Sequence, residues 1–345
     1  MSSLNEPRIP DPLGRGVVKI ALTGIITAIY GVIYFNTVQD TPAGKVYKRP
    51  KKSGALEVTS RKSFYAMLVS NFGLIFALGL LTWRLAQPKI HFLSPSQMYL
   101  VWGLLGLLFA YQSYQAWQVN KELLSGRKTY TPAERYHFGQ VGLLEFAYVV
   151  SFGSELAAVS MLPSFFEKTF NLSHVMAAMI AATYPFLNLV SRPSGGLISD
   201  KFNSRKWTLT IITIGIGVGY LLATKINSSW SIPLAIAVTM LSAYFAQAGC
   251  GATYGIVPLI KKEATGQISG NVGAYGNFGG VVYLTIFSLS NSAQTLFTTM
   301  GIAALVCASL CAFFLKEPKG SFADDYEVAG ADKVLPQRDS VLAED

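Results

Sequence analysis

Arg192 stands inside an apolar run, Asn188-Leu189-Val190-Ser191-Arg192-Pro193-Ser194-Gly195-Gly196-Leu197-Ile198, eight residues before Asp200. A guanidinium is planar, always charged and carries a fork of N–H donors, a shape that matches a planar oxyanion. In hydrocarbon such a group is costly and marks a functional site. Two carboxylates in the preceding apolar stretch could instead neutralise it. Glu145, Tyr148, Phe152 and Glu155 follow one another at i, i+3, i+7 and i+10, which puts all four on one face of a regular helix. A face with two acids, a phenol and a ring is not a lipid face; it lines a cavity or meets a neighbouring helix. Two readings stay open. Arg192 binds an anion, or it is the buried partner of Glu145 or Glu155. Glu155 in turn either takes part in proton coupling or only neutralises a cation.

A second stretch is unusual in another way. Residues 266–280 hold six glycines (Gly266, Gly270, Gly273, Gly276, Gly279, Gly280) and two asparagines (Asn271, Asn277), and an apolar run follows to Phe287. Each glycine in a soluble helix would cost about 1 kcal/mol relative to alanine. In a membrane the same residues let backbones approach closely. Gly273 and Gly276 open the backbone to a helix or an anion, and Asn277 supplies an amide donor. Packing alone remains the alternative.

These residues need membrane helices to position them. The chain has 345 residues, 51% of them hydrophobic and 14% charged, with a mean hydropathy of +0.38. A soluble domain carries about 25% charge. Nine segments are long enough to cross a bilayer: 17–37, 64–85, 97–117, 140–165, 174–198, 207–225, 231–253, 267–289 and 294–315. The fold class expected is an all-α polytopic membrane protein. The net charge of +9 follows from basic loops between spans rather than from nucleic-acid binding.

Lysine and arginine counts set the orientation. The side with loops 38–63, 118–139, 199–206 and 254–265 and the tail from 316 holds twenty, and the opposite side seven. The C-terminus is therefore expected in the cytoplasm, in a multi-pass protein of the bacterial inner (plasma) membrane. Nine spans then leave Arg8, Arg15 and Lys19 on the translocated side, against the rule. Either the chain starts in the middle of something larger, or one of the short spans is not a span.

The expected organisation is a polar segment 1–16, a transmembrane helix 17–37 and a basic cytoplasmic loop 38–63. A transmembrane hairpin 64–117, a cytoplasmic loop 118–139, a six-helix block 140–315 and a disordered tail 316–345 follow. Pro and clustered Lys and Arg argue against a buried core in 38–63. Cys250, Cys307 and Cys311 fall in spans without metal-ligand spacing, and His91, His137 and His174 are scattered. No glycine-rich phosphate loop follows a strand, and no nucleophile–base–orienter set is visible. No metal, no cofactor and no enzymatic activity are expected.

The loop Gly195-Gly196-Leu197-Ile198-Ser199-Asp200-Lys201-Phe202-Asn203-Ser204-Arg205-Lys206 reads as a close helix crossing at the glycine pair followed by a tight turn where Asp200 and Arg205 can pair. It resembles the G-x-x-x-D-R/K-x-x-x-R-K/R loop of the major facilitator superfamily, with Lys201 for the commoner Arg. The resemblance makes Gly196, Asp200, Lys201, Arg205 and Lys206 part of a conformational switch. The stretch 266–280 resembles the second nitrate signature of the nitrate/nitrite porter family, in its eleventh helix. Residues 148–155 and 188–196 look like that family's seventh and eighth helices. The resemblance covers about 140–320 and makes 140–315 the C-terminal six-helix half of the twelve-helix fold. It implies a nitrate/nitrite transporter in which Arg192 binds the anion, Tyr148 donates to it and Phe152 packs on it, with Gly273, Gly276 and Asn277 on the opposite wall. Glu145 and Glu155 form a charge network, and protons are a candidate coupling partner. The hairpin 64–117 departs from the twelve-helix plan, as expected of the cyanobacterial branch. The family's second arginine and first glycine signature do not occur here. The expected partner is therefore an N-terminal half, supplied as a separate chain, by a second copy, or missing because the chain is a fragment.

Overall fold

The computed structural model describes residues 15–38, 54–88, 90–131 and 135–318, with the side chains of 15–23 excepted. The expectations for most of 1–16, for the basic cluster Lys45–Lys52 and for the tail beyond residue 318 lie outside the described residues.

Every regular element among the described residues is a helix. Helix α1 (Arg15–Thr37) belongs to a unit of its own, residues 1–51. The second unit, from residue 52 onward, holds α2 (Arg61–Leu85), α3 (Pro95–Leu124), α4 (Phe138–Tyr148), a π-helical turn (Val149–Gly153), α5 (Ser154–Phe170), α6 (His174–Phe186), α7 (Asn188–Lys201), α8 (Arg205–Ala223), α9 (Ile232–Ile260), α10 (Thr265–Ser290) and α11 (Ala293–Phe314). Among the described residues seven spans are long and apolar enough to cross a membrane, with α4–α5 and α6–α7 each counting as one. Helix α3 does not reach that hydropathy: Gln112, Ser113, Gln115, Gln118 and Asn120 interrupt its second half.

Local chemistry explains the boundaries. Ser60, Ser94, Ser173, Ser204 and Ser292 each accept from a backbone N–H in the first turn of the helix that follows. At Ser94 the Gln97 side chain returns the bond, closing a capping box. Asn171 and Asn291 end α5 and α10 in the left-handed region, at φ 51° and 50°.

Two irregularities interrupt the helices. The first is the π turn inside the 33-residue span Phe138–Phe170. Its wide ring leaves carbonyls poorly served, and serine hydroxyls take them. Ser151 Oγ donates to the Ala147 carbonyl at 2.7 Å, and Ser154 Oγ to those of Val150 and Ser151 at 2.6 and 3.0 Å. The second is the break at Leu187 between α6 and α7, two residues after Pro185.

Helix α8 packs on α9 and α11, α7 lies along α9, and α10 lies on the π turn and α4. The hairpin α2–α3 attaches through polar contacts from α2. Ser70 Oγ donates to Glu145 Oε2 at 3.1 Å, Tyr275 OH to the Ser70 carbonyl at 2.8 Å, and Arg84 Nη2 to the Ser288 carbonyl at 2.6 Å. Large side chains such as Phe76, Leu107 and Val190 stay exposed, which suits a hydrocarbon solvent. The end of the loop expected to lack a core does not follow that expectation. Leu56 and Val58 are buried. Asn120 holds both, accepting from Val58 N at 2.9 Å and donating to the Leu56 carbonyl at 3.1 Å. The cause is α3, which runs on to Leu124 and offers that amide.

Candidate functional site

Arg192 lies in α7 one turn after Asn188, and its side chain is 37% exposed. Its Nε donates to Asn188 Oδ1 at 2.9 Å and its Nη2 to Glu155 Oε2 at 3.0 Å. Asn188 Nδ2 donates to Glu155 Oε1 at 2.5 Å, so the three side chains close a triangle. Cys250 Sγ lies 3.9 Å from Glu155 Oε2. The guanidinium carbon sits 5.3 Å from the centroid of the Phe152 ring. The pairing of Asn188 with Arg192 is the one their spacing suggests. The choice between Glu145 and Glu155 falls to Glu155.

The aromatic floor is continuous. Tyr148 and Phe152 stack with centroids 5.2 Å apart and an 11° tilt. Tyr254 stands edge-on to Tyr148 at 5.1 Å and donates to the Ser269 carbonyl at 3.1 Å. Tyr254, one helix away in α9, thus joins the same aromatic group as Tyr148.

The glycines of α10 make this floor possible. A Cβ on Gly276 would stand 2.6 Å from Phe152 Cδ1 and from Tyr148 Cδ1. A Cβ on Gly273 would stand 3.1 Å from Tyr254 OH, and one on Gly279 2.8 Å from the Val149 carbonyl. Gly276 and Gly273 therefore lie against the aromatic floor. Asn277 does not reach it. It is exposed, donates to its own helix's Gly273 carbonyl at 3.2 Å and lines a cavity of about 340 Å³ with Leu74, Leu78 and Leu108. The interhelical amide of α10 is the half-buried Asn271, whose Nδ2 donates to the buried Glu145 Oε1 at 2.6 Å.

Glu145 also departs from the single face that spacing suggests. It is 3% exposed and bound by Ser70 and Asn271, uncharged partners on α2 and α10. The π turn is the reason. It absorbs one extra residue, worth about 100° of helix rotation, so Glu155 turns toward α7 and α9 while Glu145 keeps to α10 and the hairpin. No periodicity reads such a turn; Gly153, which meets Gly279 backbone to backbone, is its one trace in the sequence.

The loop after α7 has the expected pair: Arg205 Nη2 lies 2.8 Å from Asp200 Oδ1. Lys201 is exposed, and Lys206 Nζ lies 5.3 Å from the Trp207 ring centroid. The close helix crossing is made by Gly195, against Ala248 of α9; Gly196 has nothing within 4 Å of where its Cβ would be. The Glu317 carboxylate accepts from Arg205 N at 2.6 Å and Lys206 N at 3.0 Å, capping α8. Among the described residues no group of His, Cys, Asp and Glu could hold a metal ion.

The family model of the Major Facilitator Superfamily matches residues 144–338. A nitrate/nitrite transporter NrtP of Nostoc punctiforme is 79% identical over 310 residues, 90% of this chain and 62% of that protein. The protein of the same name from a Picosynechococcus species is 49% identical over 323 residues, 89% of this chain and 60% of its own length. High-affinity nitrate transporter 2.3 of Oryza sativa subsp. japonica is 34% identical over 174 residues, 48% of this chain and 33% of that protein. The chain thus spans about three fifths of the length of the first two relatives.

Proposed function

We propose that this chain, which belongs to the major facilitator superfamily and within it to the nitrate/nitrite porter family, forms one wall of a nitrate/nitrite path and carries that anion across the membrane with a second six-helix half facing it. The observation that supports the reading is the Arg192 side chain. It lies within a membrane-length span, rests on the Phe152 ring and is 37% exposed where its carboxylate partner is only 7% exposed. Among the described residues its Nη1 makes no hydrogen bond. A planar anion can dock on those donors edge to edge, with Tyr148, Phe152 and Gly276 below. The site binds and releases the anion. The Lys and Arg bias supports the inner membrane with the C-terminus in the cytoplasm. Residues 200–206 act in the conformational switch rather than in contact with the anion, and protons are the candidate coupling ion through Glu155.

The test is anion uptake into proteoliposomes holding the chain with a facing half. Arg192→Ala abolishes uptake, whereas exposed positions of the α2–α3 hairpin tolerate substitution. A second reading, in which Arg192 serves only to neutralise Glu155, is favoured by their 3.0 Å contact. The double variant Arg192→Gln/Glu155→Gln separates them. Uptake regained in the double variant supports neutralisation and overturns anion binding; uptake still absent supports binding.

A further inference from the structure

Gln247 of α9 is fully buried and touches neither Arg192 nor Glu155 by hydrogen bond, yet it spans the break in the helix that carries Arg192. Its Nε2 donates to the Tyr184 carbonyl at 2.8 Å, on the upstream side of Leu187. Its Oε1 accepts from Ser191 Oγ at 2.5 Å, on the downstream side. Ser191 is the residue before Arg192 and also donates to the Leu187 carbonyl at 2.8 Å. One amide thus holds both ends of the break.

Something must hold it. Helices α7 and α9 meet backbone to backbone, with Gly195 on Ala248 and Gly251 on the Arg192 carbonyl. Flat surfaces of small residues let helices approach but offer no knobs to fix their register. Directional hydrogen bonds can fix it, and buried ones give it up at a cost of about tenfold in an equilibrium each. The same Tyr184 is tied to the π turn. Its hydroxyl lies 2.8 Å from that of Tyr220, which donates to Ser154 Oγ at 3.1 Å. All of these side chains are at most 1% exposed. The network therefore connects the irregular turn that presents Phe152 and Glu155 with the irregular break that presents Asn188 and Arg192.

We propose that Gln247 is a positioning residue: it sets the angle of the α6–α7 break and so holds Asn188 and Arg192 against Glu155. Its consequence for anion affinity rests on the reading of Arg192 as the anion-binding group; its consequence for the ion pair does not. The first measurement therefore avoids transport. Arg192→Gln, Glu155→Gln and the double variant are melted in detergent, in the Gln247 background and in Gln247→Leu. With Gln247 the two substitutions are non-additive, as contacting residues are. In Gln247→Leu the non-additivity falls to less than about a third of that value. Equal non-additivity in both backgrounds overturns the proposal. Should Gln247→Leu fail to fold, Ser191→Ala removes one arm without adding volume. Partial loss of the coupling supports the proposal, and no loss overturns it. In proteoliposomes, Gln247→Leu or Ser191→Ala raises KM by about tenfold with the maximal rate within about twofold, and an unchanged KM overturns the link to affinity. If Arg192→Ala retained uptake, the anion reading would fall while the melting cycle still decided the role of Gln247.

Discussion

Gly276→Ala and Gly270→Ala add the same methyl group to the same helix, six residues apart, and the structure assigns them opposite signs. At Gly270 the new Cβ meets nothing within 4 Å. Alanine there gains up to about 1 kcal/mol of helix propensity and loses no contact. At Gly276 the new Cβ stands 2.6 Å from two ring carbons, whereas ordinary contact begins at 3.4 Å. The rings must give by about 0.8 Å, the difference between those two distances. Both rings are held by neighbours. Phe152 lies between Tyr148 and the Arg192 guanidinium, and Tyr148 is held edge-on by Tyr254. Overpacking of this kind costs about 1–3 kcal/mol. Taking the upper end because both rings are pinned, and subtracting about 1 kcal/mol of propensity, the net loss is about 2 kcal/mol. For a chain of 345 residues that corresponds to a fall in melting temperature of about 3 °C. The assay is thermal melting of the purified chain in detergent, followed by uptake in proteoliposomes holding the chain with a facing half. Gly276→Ala melts lower and, under the proposed reading, weakens anion affinity by moving the ring under Arg192; Gly270→Ala melts at or above the parent with normal uptake. Equal melting temperatures for the two variants would refute the close packing of α10 on the π turn, and with it the aromatic floor.

Two further outcomes follow from the same contacts. Asn271→Ala removes a donor from the buried Glu145 carboxylate and lowers stability by about 1–3 kcal/mol, whereas Asn277→Ala, at an exposed amide bonded only within its own helix, stays within about 0.5 kcal/mol; melting both in parallel checks the order, and the reverse order would move the polar face of α10. Outside the spans, Lys128 Nζ lies 2.6 Å from Glu57 Oε1, and that hydrogen bond holds the ammonium above its ordinary value of 10.5. A raised lysine contributes stability below its ordinary value and loses it only as pH climbs through the raised one. Melting between pH 6 and 9 is therefore flat with respect to this pair. Glu57→Gln lowers the melting temperature slightly across that range, since a pair more than a third exposed is worth at most about 1 kcal/mol, and its difference from the parent closes only above the ordinary lysine range.

What the sequence made legible divides along a physical line. Hydrophobic length announces a span whatever its neighbours do, so the six-span block from residue 140 is readable from composition and loops. Arg192 is readable because a guanidinium in hydrocarbon needs an explanation, and Asn188 because it lies one helical turn away. The Asp200–Arg205 pair is readable because a short turn leaves its ends few partners. The missed features depend on departures from a regular helix. Spacing counted through Val149–Gly153 places Glu145 beside Glu155; the π turn sends them to separate networks. Counting along α10 favours Asn277 for its flanking glycines; helix rotation puts Asn271 inside instead. Gln247 carries no local signal at all, since its partners Tyr184 and Ser191 are 63 and 56 residues away.

The arrangement also bears on how a neutral pair could attract an anion under the proposed reading. Arg192 and Glu155 cancel in net charge, but they are not equally placed. The carboxylate is withdrawn, with one oxygen held by Asn188 and the other by the guanidinium, and the guanidinium stands forward of it. A pair so ordered presents its positive end to the open side, and the face of the Phe152 ring holds the cation from beneath rather than covering its donors. An approaching monovalent anion meets N–H groups before it meets the carboxylate. The attraction of such a dipole falls off faster with distance than that of a free charge, so this wall alone binds weakly. A second cation across the path would restore long-range attraction and leave a net positive charge that one nitrate or nitrite cancels. Exchange of that one anion for another then restores neutrality at the site without moving Arg192 away from Glu155, and this is why the ion pair and the anion site can be the same residues.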